Sequence, residues 1–323
     1  MGPARFWGRG RSRMERGRDG AGFMDDIAVL IPCLNERQAI ASVVRDVTAA
    51  LPGAAVYVYD NGSTDGSDEL ARAAGAVVRR EPSRGKGNVV RRMFREVDAR
   101  CYLMLDGDGT YPAGAAPEMA RLVLEEGADM VVGDRLSSTY FQENKRPFHN
   151  FGNRLVRAAV NGLFHGGVRD VMTGCRAFSF QFAKSFPVLS PGFEIETEMT
   201  VHALDKRMRV ENVVIDYRDR PAGSLSKLDT YSDGIRVLFT ILRLFWTYRP
   251  MRFFGAAALL LAAAWLSLLV LAPCLPAFAA DGCATAALAS LSCGLLLDGL
   301  HRKDLRDFEF KLQQIHSRDA RCV

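Results

Sequence analysis

Short apolar runs separated by helix-like stretches fill the first two thirds of the chain. Ile27–Pro32, Val56–Asp60, Ala76–Arg79, Tyr102–Asp106 and Met130–Gly133 are rich in Val, Leu and Tyr and predict five strands. Between them Glu36–Leu51, Gly66–Ala74, Gly87–Val97 and Ala113–Glu126 have helical composition. Strands alternating with helices of this length predict right-handed βαβ units and an α/β fold around a mostly parallel sheet. Ligands of such sheets bind beyond the carboxyl ends of the strands. The polar clusters of this chain fall there: Asn35-Glu36 after the first strand, Asp60-Asn61-Gly62-Ser63 after the second and Asp106-Gly107-Asp108 after the fourth.

The last third is patterned differently. Phe253–Ala272 carries no charge and is long enough to span a bilayer's hydrocarbon core; after an exit loop at Pro273–Gly282, Cys283–Leu297 is a second, shorter uncharged run. Arg249 and Arg252 precede the pair and Arg302, Lys303 and Arg306 follow it, whereas the loop between has no basic residue. The positive-inside rule then predicts a helical hairpin with both ends, and the domain before it, on the cytosolic side of the cytoplasmic membrane. Just upstream, Ile235, Leu238, Phe239, Leu242, Phe245 and Trp246 share one helical face, with Arg236, Thr240, Arg243 and Thr247 elsewhere. Ahead of a membrane span, that stripe predicts an amphipathic helix lying in the interface. The expected organisation is a basic tail (1–23), a catalytic domain (24–232), the juxtamembrane helix (233–250), the hairpin (251–300) and a cytosolic tail (301–323).

Charge changes this picture little. The net charge is +5, but Met1–Gly22 holds six arginines against Glu15 and Asp19, so the rest of the chain is close to neutral and nucleic acid is not an expected partner. That arginine- and glycine-rich stretch reads as a disordered tail, or as sequence upstream of a start at Met24. The seven cysteines form no CxxC pair or ligand-like spacing, which suits a reducing compartment. The sequence is compatible with a homo-oligomer.

The chemistry centres on Asp106-Gly107-Asp108. Two carboxylates one residue apart at a strand end can converge on a hard divalent cation, Mg²⁺ or Mn²⁺, together with substrate phosphate oxygens. The Asp60–Gly66 turn can cap the next helix or offer Asp60 and Asn61 to a base or ribose. Arg84-Gly85-Lys86-Gly87-Asn88 opens a helix, where backbone amides and a lysine suit an anion. It lacks the outer residues of a Walker loop, and no GxGxxG follows the first strand. The five histidines form no constellation.

In this order the PCLNE, DNGSTDG, RGKGN and DGD motifs resemble those of the GT-A, family 2 glycosyltransferases. Val171–Phe178, Gly192–Glu198 and the loop Tyr217–Leu228 (YRDRPAGSLSKL) are similar to the branch containing dolichyl-phosphate mannose synthases and polyprenyl-phosphate glucosyltransferases. The resemblance spans Asp25 to Arg249, and a two-span C-terminal anchor fits its bacterial members. It implies a GT-A nucleotide-sugar-binding fold and an inverting transfer of a hexose from a UDP- or GDP-sugar to undecaprenyl or dolichyl phosphate. It assigns Pro32, Asn35, Glu36, Asp60 and Asn61 to the nucleoside, Lys86 to its surroundings, and Asp106 and Asp108 to metal and diphosphate. Arg135 and Arg154 resemble the arginines that hold the lipid phosphate; Arg220, Ser226 and Lys227 resemble the loop that closes on the donor. Relatives carry a further polar ligand just after the DxD, where Gly109-Thr110 stands here.

A phosphate acceptor is already anionic, so this reaction needs no strong base, only cations that hold two anions together. A processive polysaccharide synthase of the same fold would need a QxxRW-type motif and more spans, and neither is present. A non-catalytic membrane scaffold would have no use for Asp106, Asp108 and Lys227.

Overall fold

The computed structural model describes residues 25–137, 147–192, 194–218, 239, 242–271 and 277–319. Its strands are β1 (Asp25–Cys33), β2 (Ala55–Asp60), β3 (Val77–Arg80), β4 (Ala99–Met104), β5 (Met130–Asp134), β6 (Arg176–Ser179) and β7 (Val210–Val214), in the order β3-β2-β1-β4-β6-β5-β7. Ile27 to Ile31 on β1 are at most 4% exposed, as required of a central strand covered on both faces. β1 pairs in parallel with β2 and β4, and β2 with β3. β6 is antiparallel to both its neighbours, and β7 runs parallel to β5. Each of the five strands expected from the apolar runs is present within one to three residues; β6 and β7 are additions.

The helices are α1 (Ile40–Ala50), α2 (Ser67–Ala73), α3 (Lys86–Glu96), α4 (Ala116–Leu124), α5 (Pro147–Phe164), α6 (Phe180–Ser185), α7 (Ile195–Asp205), α8 (Pro250–Leu271) and α9 (Ala277–Asp319). Side chains alternate across a strand, so each face of the sheet has its own core. On one face Ile27, Val29 and Ile31 pack with Val43 and Val47 of α1 and Met119 of α4. On the other, Phe94 of α3 meets Tyr102 and Phe178 edge-on, at ring separations of 5.9 and 5.5 Å, and Phe178 stacks on Phe182 at 4.7 Å.

The described residues fall into two compact units. The sheet unit lies within Met1–Lys145, Val168–Ala203 and Met208–Leu225, and the second within Arg146–Gly167, Leu204–Arg207 and Ser226–Val323. Helix α5, inside the stretch expected to form the catalytic domain, thus groups with the C-terminal helices. Arg249 joins it to them: Nε donates to the Leu163 carbonyl at 3.1 Å, and the guanidinium lies over the Phe164 ring. The helical segment 242–248 buries Leu244 while Phe239, Leu242 and Trp246, from the predicted apolar stripe, are exposed. Ile235 and Leu238 of that stripe lie outside the described residues.

Pro250–Val270 and Asp281–Ile315 are long and apolar enough to cross a membrane, with mean hydropathies of 2.3 and 1.6 and almost no burial against protein. The second differs from expectation. The exit loop ends by Ala277, and there is neither a helix end near Asp298 nor a separate tail at 301; α9 continues to Asp319. An i,i+4 ion pair from Arg302 to Asp298, 2.8 Å long, supports the helix across the junction of apolar and charged sequence. Beyond it, Lys206 donates to Asp304 and stands 3.5 Å from Asp205, whose Oδ1 lies 3.2 Å from His301 Nε2.

Phe178 is fully buried in the aromatic layer. Phe178→Ala is expected to cost about 3–5 kcal/mol of stability in chemical unfolding of the detergent-solubilised chain. A loss below about 1 kcal/mol would show that the sheet does not depend on this layer.

Candidate functional site

Neighbouring parallel strands bring the first two polar turns together. Cys33 is in register with Asp60, and Asn61 N–H donates to the Cys33 carbonyl at 2.9 Å. The Asp60 carboxylate accepts from the amides of Gly62 and Ser63, both at 3.0 Å, which closes the turn. Asn35 adopts a left-handed backbone (φ 54°), and its Oδ1 accepts from Thr64 N–H while its own N–H donates to Ser63 Oγ, each at 2.9 Å. Glu36 N–H donates to Ser67 Oγ. Pro32, half-buried, is the penultimate residue of β1. Cys33 sits beneath these turns. Burial, reinforced by the negative charge of Asp60 and Glu36, pushes its thiol up to about 12, so it remains protonated and unreactive.

Asn61, assigned to the nucleoside by the resemblance, is bonded to the neighbouring loop. Its Nδ2 donates to the carbonyls of Glu81 and Ser83, at 3.0 and 2.8 Å, and its Oδ1 accepts from Gly85 N–H at 2.8 Å. Three bonds from one amide fix the approach to the RGKGN loop, and Asn61 is a support for that loop. Gly85 (φ 123°) is itself indispensable, because a side chain there would drive into the Pro191 carbonyl.

Lys86 begins α3, yet the start of this helix is no open anion site. Gly87 N–H donates to the Pro191 carbonyl at 3.0 Å, and the lysine meets carboxylates of the protein itself. Its Nζ lies 2.5 Å from Asp106 Oδ1 and 2.7 Å from Glu196 Oε1 on α7. Lys86 and Glu196 are almost completely buried, while Asp106 keeps a side-chain exposure of 26%. Burial alone would discharge the ammonium, but the two carboxylates outweigh it and raise its pKa, so Lys86 stays charged. Burial also raises the Glu196 pKa, with the charge of Asp106 adding to it and Lys86 opposing.

Asp108 is 5% exposed, and its Oδ1 accepts from Thr110 N–H at 3.1 Å and Thr110 Oγ1 at 2.7 Å. Thr110, just after the carboxylate pair, therefore orients Asp108. Gly174 packs against the Asp106 carboxylate, and a Cβ there would overlap it. The segment bearing Gly174 is braced by Arg176, which is fully buried and donates to the carbonyls of Thr173 and Val171 and to Thr200 Oγ1. Gly174 N–H also donates to the Tyr111 hydroxyl at 3.1 Å.

Arg135, which the resemblance assigns to the lipid phosphate, is bonded within the protein. Its Nε donates to the buried Asp170 carboxylate at 2.7 Å, and its other nitrogens reach the Met172 carbonyl (3.1 Å) and the Tyr111 hydroxyl (3.4 Å). A guanidinium matched in this way braces the loop next to Gly174. Arg154 is exposed on α5 in the second unit. Arg220, Ser226 and Lys227 lie outside the described residues. Glu196 and Arg176 were not foreseen as site residues, although both stand in segments singled out from the sequence. A charged residue beginning an apolar strand, as in CRAF, was the available signal for Arg176.

A second set of ligand-type atoms, from Asp205, His301 and Asp304, clusters within 4.8 Å. The Lys206 ammonium bonded to Asp304 supplies the positive charge at that cluster.

Residues 28–186 match the model of the family described as Glycosyl transferase family 2. Glycosyltransferase AglJ of Haloferax volcanii is 37% identical over 233 residues, covering 72% of this chain and 76% of that protein. A dolichyl-phosphate hexose transferase of the same organism is 30% identical over 213 residues, covering 66% and 91%. Among solved structures, glucosyl-3-phosphoglycerate synthase from Mycobacterium tuberculosis, in complex with Mn²⁺, UDP-glucose and glycerol 3-phosphate, superposes with a TM-score of 0.52. It is 25% identical, covering 73% of this chain and 86% of that one.

The Gly174–Asp106 contact leads to a substitution that needs no change of charge. Gly174→Ala should displace the Asp106 carboxylate and reduce Mn²⁺ binding, measured by calorimetry, by about tenfold or more, with an unchanged circular dichroism spectrum. Unaltered binding would show that the position of Asp106 does not depend on this contact.

Proposed function

The chain belongs to glycosyl transferase family 2, and from that premise we propose that it transfers a hexose from a nucleotide-sugar to the phosphate of a polyprenyl lipid at a membrane surface. The observation that carries the reading is the carboxylate pair at the end of β4, on a family 2 sheet, in one chain with two long apolar helices. The similarity to a dolichyl-phosphate hexose transferase supports the acceptor class. The similarity to a synthase that holds UDP-glucose and Mn²⁺ supports the donor class and the metal. Undecaprenyl or dolichyl phosphate is the acceptor, and the sheet unit and both chain ends face the cytosol.

Asp106 and Asp108 hold Mg²⁺ or Mn²⁺. The donor set fits, being hard oxygens, and Lys86 on Asp106 Oδ1 already places positive charge where a cation would stand. When bound, the ion neutralises the diphosphate as it departs. Pro32, Asn35, Glu36 and Asp60, at the ends of β1 and β2, take the nucleoside. Asn61 and Arg135 act one step back, holding the loops that carry Lys86 and Gly174. Arg154, Arg220, Ser226 and Lys227 supply donors for the phosphates of acceptor and donor. An acceptor phosphate oxygen attacks the anomeric carbon in line as the bond to the diphosphate oxygen breaks, so the configuration inverts. The acceptor is already an anion, and Glu196, engaged with Lys86, is not required as a base.

The test is incubation of the full chain with a panel of UDP- and GDP-hexoses and undecaprenyl phosphate in liposomes, with and without Mn²⁺. One donor should yield a lipid-linked sugar, chelator should abolish the product, and Asp108→Asn should lower the rate at least about tenfold, as loss of a charge-assisted contact implies. Product formed at an undiminished rate by Asp108→Asn in excess chelator would overturn the metal assignment. Absence of lipid-linked product with every donor would overturn the acceptor.

A further inference from the structure

Lys86 and a divalent cation would compete for the same carboxylate. The ammonium lies 2.5 Å from Asp106 Oδ1, so a cation arriving at Asp106 meets a like charge at close range. Glu196 relieves that conflict by providing the same ammonium with a second carboxylate at 2.7 Å, from a helix 110 residues further along the chain. The three groups together carry one net negative charge. Without Glu196 the remaining pair would be neutral, with Lys86 wholly on Asp106. We propose that Glu196 is a positioning residue that shares the Lys86 ammonium with Asp106, offsets its positive charge and so sets the affinity of the site for its divalent cation. The inference rests on the assignment of Asp106 and Asp108 to that cation and gives Glu196 a role toward it. Geometry supports the coupling: Lys86 and Glu196 have side-chain exposures of 8% and 7%, so water does little to screen one charge from the other.

Two substitutions should then move cation affinity in opposite directions. Glu196→Gln keeps the shape, makes the cluster neutral and should weaken Mn²⁺ binding by about tenfold or more. Lys86→Gln removes the competitor and should tighten it. The double variant should return towards the wild-type value, because each change cancels the charge effect of the other. A purely structural role for Glu196 would not give opposite signs.

The measurement is calorimetric titration of Mn²⁺ into the detergent-solubilised full chain without donor, with near-ultraviolet circular dichroism as the check on folding. Wild-type binding that Asp108→Asn abolishes establishes the cation site. If that control shows no such site, the assignment of Asp106 and Asp108 fails, and this inference with it. If the site is present and Glu196→Gln binds Mn²⁺ within about twofold of wild type, or Lys86→Gln binds no more tightly, the inference alone is overturned. Should Glu196→Gln not fold, the Lys86→Gln result decides. Glu196→Asp, which retains the charge, should stay within a few-fold of wild type, and a collapse of binding there would equally count against a charge-based role.

Discussion

Lys86 is a buried cation held between two carboxylates that reach it from distant parts of the chain. Removing one partner from such a group costs about 3–5 kcal/mol, because it strands a charge away from water. The surroundings are built so that neither partner can drift. Asn61 ties down the approach to Lys86, Gly85 and Gly87 let the loop touch the backbone at Ser190 and Pro191, and Gly174 backs the Asp106 carboxylate. Arg176 then holds the strand entry that carries Gly174. Its guanidinium is pushed down to about 10 by burial, a sign of how far this support lies from solvent.

Charge in the sheet unit is thus arranged in depth. The carboxylates that suit a cation stand at the strand ends, a fixed ammonium lies beneath them, and matched arginines lie behind. In the proposed transfer of a sugar between two phosphates, such fixed charges would already be in place when the bond to the diphosphate breaks, and would need little rearrangement at that moment.

Much of this was legible in the sequence, for identifiable reasons. β1 to β5 announce themselves because buried parallel strands are short apolar runs, and Asp106-Gly107-Asp108 stands out as a candidate through its place after one of them, in series with the other polar turns. β6 does not, since it is four residues long and begins with Arg176; β7, with Glu211 and Asn212 at its centre, lacks an apolar run. The partners of charged residues were also hidden. An arginine after a strand has the same letter whether it turns outward to a ligand or, like Arg135, inward to an aspartate 35 residues away. Glu196 is 110 residues from Lys86, and no local pattern joins them. Nor does the sequence show that the helix runs on past Asp298 into the charged stretch, where pairs such as Asp298–Arg302 extend it.

The length of α9 has a mechanical consequence. At 43 residues it is about 65 Å long, roughly twice the hydrocarbon thickness of a bilayer of about 30 Å. With its apolar part spanning a bilayer, as proposed, a rod of that size would leave a mast of several turns in the aqueous phase. Lys206 and Asp205 meet this mast just beyond its apolar part, at Asp304 and His301. Variation in membrane thickness would then be met by the rod tilting or riding up and down, with the collar at residues 204–207 travelling with it as a float follows the surface of water.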